Sequence, residues 1–102
     1  MHTYLKLLRT LQEGIDLAKK KKNKKLENDL KKRKADLMAV VDPFLEHVLQ
    51  EYGEDYFRFI TSYYVNGKSL GKAECDADSY SGAETMRRQV ARYCEYYDRA
   101  NK

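Results

Sequence analysis

Along the first 20 positions Tyr4, Leu8, Leu11, Ile15 and Ala18 recur at steps of four and three, the spacing that stacks side chains on one face of a helix. A first helix is predicted there. The pattern resumes with Leu26, Leu30, Leu37 and Val40 or Val41, but out of register with the first run, so the chain stutters or turns between Lys22 and Leu26. Neither Gly nor Pro marks a turn, and Asn23 is a weak breaker. The reading preferred from sequence is one long helix to about Val41, with a helical hairpin as the alternative.

Asp42 followed by Pro43 reads as an N-cap with proline at the first helical position. Phe44, Leu45, Val48, Leu49 and Tyr52 then form an apolar face, and Gly53 can end the helix in a left-handed conformation. The segment EDYFRFITSYYVNGK has the aromatic content and Asn-Gly pair of a β-hairpin. Helical spacing nevertheless puts Tyr52, Tyr56, Phe59, Ile60 and Tyr63 on one face, whereas a strand would mix Arg58 and Ser62 into its apolar side. A helix ending at Asn66-Gly67 is predicted. Ser69 then caps a short helix with Leu70, Ala73 and Ala77, and Asp76, Asp78 and Ser79 favour a turn. Ser81 and Glu84 read as a capping box opening a last helix, with Met86, Val90, Tyr93 and Tyr97 facing inward and Arg88, Arg92 and Arg99 outward. The expected class is all-α: a basic N-terminal helix or hairpin over 1–41, then a compact three- to four-helix unit over 42–102.

Composition narrows the function. A chain of 102 residues with 42% hydrophobic and 35% charged residues suits one domain with one core. No apolar run approaches the roughly 20 residues of a membrane span, and the start, MHTYLKLLRTLQEG, lacks the apolar block of a signal peptide. A cytoplasmic protein without membrane association is expected. Cys75 and Cys94 have neither metal-like nor redox-like spacing and read as small core residues. The net charge of +4 hides an asymmetry: residues 1–41 carry twelve Lys/Arg against five Asp/Glu, residues 42–102 eight against eleven. Ten basic residues between Lys19 and Lys34 would attract a polyanion.

For catalysis the inventory is poor. His2 and His47 stand alone, and neither a phosphate loop nor a metal-ligand cluster is present, so no enzyme activity, cofactor or metal is expected. Most of the nine tyrosines fall on apolar faces, where they supply core bulk rather than base-stacking platforms. The order from Tyr63 to Tyr97, an aromatic helix, a Gly turn, a short Ser-capped helix, a second turn and a basic helix, is a helix-turn-helix layout. In it the short helix, with Lys68 and Lys72, crosses the phosphate backbone, while Ser81, Thr85, Arg88, Gln89 and Arg92 at the start of the last helix reach the major groove. Lys20, Lys21 and Lys24 would add phosphate contacts.

At Tyr64, Gly67, Lys68, Ser69, Ala73, Ala77, Tyr80, Ser81 and Thr85 the sequence resembles small helix-turn-helix proteins of phages and prophages, both late-gene transcription regulators with a sigma-region-4-like domain and terminase small subunits. The likeness spans about a third of the chain, and Asp76, Asp78 and Glu84 add negative charge near its phosphate path. It implies double-stranded DNA as partner, in transcription or genome packaging. The competing reading is a helical interaction module, an adaptor or inhibitor of a host protein. The two separate on α-helical charge pairing: a DNA reader needs Arg88 and Arg92 unpaired, a bundle ties them to Glu84 or Glu95. Self-association is expected through Leu8, Leu11, Ile15, Leu26, Leu30 and Leu37, which exceed what one long helix can bury.

Overall fold

The computed structural model describes residues 1–79 and 81–101. Helix α1 (His2–Lys20) and helix α2 (Lys24–Glu51) form a helical hairpin, so the single long helix preferred from sequence is corrected. The turn is built without glycine. Asn23 N–H bonds the Ala18 carbonyl at 2.9 Å and Lys22 N–H that of Lys19 at 3.1 Å, the paired bonds that close a helix C-terminus around a left-handed residue. That residue is Lys22, at φ 54°. Asn23 then caps α2, its side chain accepting from Leu26 N–H at 3.2 Å. Gly14 lets the helices approach closely, since a Cβ there would meet Leu30 Cδ1 at 3.1 Å.

Helix α2 runs straight through the expected break at Asp42-Pro43, and the boundary drawn between 41 and 42 therefore falls inside a helix. Proline removes one intrahelical bond. Val41, Phe44, Leu45 and Val48, all buried on one face, hold the helix together across it, because tertiary packing outweighs propensity. Gly53, at φ 103°, then redirects the chain.

Helix α3 (Glu54–Ile60) continues into a π-helical turn, Thr61–Val65, in which Asn66 N–H reaches the Thr61 carbonyl at 2.9 Å. The extra residue of a π turn shifts the register. Tyr64, rather than the expected Tyr63, therefore enters the core. Gly67 (φ 68°) ends the segment. Ser69 caps helix α4 (Leu70–Ala77), accepting from Lys72 N–H at 3.2 Å, as the sequence implied. Helix α5 (Ala83–Ala100) starts at Gly82 without a side-chain cap. The Ser81–Glu84 capping box does not form, and Glu84 pairs with Arg87 instead.

All five helices and the π turn feed one core, and no strand occurs among the described residues. Leu5 and Leu8 come from α1, Val41, Phe44 and Val48 from α2, Phe59 and Ile60 from α3, Tyr64 from the π turn, Ala73 and Ala77 from α4, Met86, Val90 and Cys94 from α5. Fully burying each larger side chain contributes about 1.5–3 kcal/mol. Tyrosines form the rim: Tyr52 and Tyr93 stack with ring centroids 3.5 Å apart, and Tyr97 meets Phe44 edge-on. Cys94 is buried, which pushes its thiol up to about 12. Cys75, expected in the core, is exposed. No described helix is long and apolar enough to cross a membrane.

Two cations fasten the hairpin to the rest. Arg9 donates to the carbonyls of Tyr63 at 2.6 Å and Lys68 at 2.8 Å, with its guanidinium 4.1 Å from the Tyr63 ring centroid. Lys34 donates to the Val65 carbonyl at 2.6 Å and to the Gln12 side chain. The Tyr63 and Val65 carbonyls lie where the π-helical segment ends, the place where carbonyls are left open and positive charge is favoured.

Candidate nucleic-acid interface

Helix α5 presents two faces because Ala83, Met86, Val90 and Cys94 repeat at three and four residues and are buried, which turns Thr85, Arg88 and Arg92 outward to solvent. Gln89, on the shoulder, is half-buried. The local acids are already engaged: Glu84 pairs with Arg87 at 2.8 Å and Glu95 with Arg99 at 2.5 Å. Among the described residues Arg88 and Arg92 make neither an ion pair nor a hydrogen bond. Two free guanidiniums one turn apart thus stand on the face that sequence assigned to base contacts.

Beside them is a cleft of about 450 Å³ between α1, the π turn and α5. His2, Lys6 and Arg9 line one wall, Arg87 and Arg88 the other, and Tyr63 and Tyr64 the floor. Arg9 is spent on backbone carbonyls, Glu13 and Tyr63. Lys6 and Arg88 are the cations left to act outward. Burial first, then the positive charges of Lys6 and the chain's amino group, lower the His2 pKa. Tyr64, whose hydroxyl lies 3.4 Å from His2 Nε2, is pushed up to about 12, mainly by burial. Sequence reasoning missed this wall, although His2, Lys6 and Arg9 follow the four-and-three spacing of a single helix face.

The lysine run divides between roles. Lys20, Lys21 and Lys24 lie exposed at the hairpin tip, where Lys19, Lys22, Lys24 and Lys31 ring a hollow of about 490 Å³. Its floor is Glu27, which is buried and lies 3.6 Å from Lys24 and 3.7 Å from Lys31. Lys34 instead serves the fold, and burial lowers its pKa. Fourteen residues separate Lys6 from Lys20, so cleft and tip lie about 21 Å apart along α1.

Other expected contacts are occupied. Lys68 and Lys72 both pair with Asp76, at 3.0 and 3.7 Å, and Ser62 also donates to that carboxylate at 2.8 Å. These bonds hold the Asp76 carboxyl below the usual carboxylate range and tie the π turn to α4. Ser81 is half-buried, its N–H donating to Ser79 Oγ. Tyr80, part of the phage-type pattern, lies outside the described residues. The expected oligomerisation set is corrected: Leu8 and Ile15 are buried inside the protein, Leu11, Leu30 and Leu37 are half-buried, and Leu26 is exposed because Glu27 takes the inward position. The hairpin absorbs part of the apolar surplus that a lone helix could not and leaves Leu11 and Leu37 half-buried. Among the described residues no group of His, Cys, Asp and Glu could hold a metal ion. Comparison with known proteins leaves the reading to this geometry, since neither a family model, nor a curated protein, nor a solved structure matches the chain.

Proposed function

We propose that this protein binds double-stranded DNA through the outer face of α5, as a helix-turn-helix protein of the phage or prophage kind acting in transcription or genome packaging. The observation that carries the reading is the freedom of Arg88 and Arg92 while the neighbouring acids are paired with Arg87 and Arg99. An arginine in the major groove can donate two bonds to a guanine, worth about 1–3 kcal/mol of discrimination. Thr85 and Gln89 flank these arginines on the same helix. Lys20, Lys21 and Lys24 supply the sequence-independent part by releasing counterions from phosphates. Pairing of Asp76 with Lys68 and Lys72 and of Glu84 with Arg87 neutralises two of the acids near the phosphate path.

The experiment is selection from random duplexes at physiological salt. Enrichment of a common site by the wild type, absent in Arg88→Ala, supports the reading. If no duplex is enriched, the interaction-module reading replaces it.

A further inference from the structure

With Leu5 and Leu8 turned into the core, the opposite side of the hairpin is left with an apolar groove of about 430 Å³ between α1 and α2. Leu7 and Val40 stand 45% and 49% exposed on its lips, and Leu11 and Leu37 are half-buried in its walls. Four apolar side chains thus share one open furrow instead of standing scattered. Arg33 and Asp36 complete the lining. They sit three residues apart on α2, a spacing at which opposite charges can pair, yet neither has an ion-pair partner among the described residues.

We infer that a second copy of this chain occupies the groove, forming a two-fold dimer in which each Arg33 meets Asp36 of the partner subunit. Charge complementarity selects that occupant. A two-fold interface brings the same patch to both sides, so residue i contacts j and j contacts i. One free cation and one free anion beside an apolar furrow match themselves twice over under that symmetry. The interface keeps Leu11 and Leu37 of the set expected from sequence and replaces the buried Leu8 and Ile15 with Leu7 and Val40. The inference does not rest on the DNA reading. If both hold, the dimer presents two α5 helices and its target is two-fold symmetric, as for other dimeric helix-turn-helix proteins.

Sedimentation of the full chain over rising concentration tests it. The wild type is expected to pass from monomer to dimer by mass action. Arg33→Asp and Asp36→Arg should each weaken self-association about tenfold or more, because like charges then face each other across the axis. An equimolar mixture of those two variants should recover it, since opposite charges meet again. Val40→Glu, at an exposed position, should give a monomer with an unchanged helical far-UV signal. A wild type that stays monomeric up to high micromolar concentration overturns the inference. So does an Arg33→Asp variant that dimerises like the wild type, or a mixture no tighter than its components.

Discussion

Replacing Arg9 by methionine removes a charge that holds two backbone carbonyls while keeping most of the side-chain bulk. In the wild type the guanidinium donates to Tyr63 and Lys68 carbonyls at 2.6 and 2.8 Å, with the arginine side chain only 24% exposed. A hydrogen bond from a charged donor contributes about 1.5–3 kcal/mol, and the guanidinium over Tyr63 adds about 0.5–1 kcal/mol. Partial solvent screening trims the sum, so Arg9→Met should cost about 2–4 kcal/mol, a large part of the roughly 5–15 kcal/mol that holds a domain of this size. Both bonds come from one nitrogen, Nη1, so Arg9→Lys should recover part of the loss but not all, because an ammonium lacks the planar guanidinium that lies over Tyr63 and is more strongly hydrated. Urea denaturation reads the effect as a lower midpoint with an unchanged slope. A destabilisation below about 1 kcal/mol for Arg9→Met would refute the claim that these bonds join the hairpin to the C-terminal helices.

Three further outcomes follow from the same geometry. Lys22 sits at φ 54°, where a side chain costs about 1–2 kcal/mol and glycine nearly nothing; Lys22→Gly should therefore stabilise by about 1 kcal/mol, raising Tm by about 4–8 °C, and a fall in Tm would count against the turn geometry. Gly67→Ala should destabilise by about 1–2 kcal/mol, since φ is 68° and the new Cβ would meet Gln12 Cγ at 3.1 Å; thermal melting decides. The Asp76 carboxyl is lowered in the folded state by bonds from Ser62 and Lys68, so its contribution is complete above its unfolded value near 3.9 and is lost as pH falls through the lowered folded value. The acid limb of a plot of unfolding midpoint against pH should accordingly be flatter in Asp76→Asn than in the wild type, and superimposable limbs would show that this clamp contributes nothing.

The elements that sequence revealed best are those where periodicity and caps agree. The helical placing of Phe59 and Ile60, the Ser69 cap and the inward positions Met86 and Val90 all depend on local spacing, and the structure repeats them. Misreadings arose where a local rule was overruled from a distance. Lys22 adopts a conformation that glycine usually supplies, so only the broken register announced the turn. Pro43 carried a start signal, but the buried face from Val41 to Val48 outweighed it. A π turn has no compositional mark, and it moved Tyr64 inward in place of Tyr63. At the candidate site, the outward stripe of Arg88 and Arg92 was legible because helix spacing dictates it. Whether neighbouring acids neutralise those arginines was not, since Glu84 and Glu95 lie within reach of several partners and only side-chain placement chooses among them. Arg9 and Lys34 look like ordinary members of a basic surface until the carbonyls of Tyr63 and Val65 are brought against them from more than 30 residues away.

The central claim concerns DNA, and the salt dependence of duplex binding by three forms of the protein tests it most directly. Fluorescence anisotropy would compare the wild type, the Lys20→Gln/Lys21→Gln/Lys24→Gln variant and the Arg88→Ala/Arg92→Ala variant on a selected site and on a scrambled duplex. Removing one lysine–phosphate pairing lowers the slope of log affinity against log salt by about one. The lysine variant should therefore bind both duplexes more weakly and with a shallower slope, while keeping its preference for the site. The arginine variant should forfeit that preference, by about 1–3 kcal/mol for each base interaction removed. A wild type that binds both duplexes equally, with an affinity matched by the arginine variant, would contradict the account.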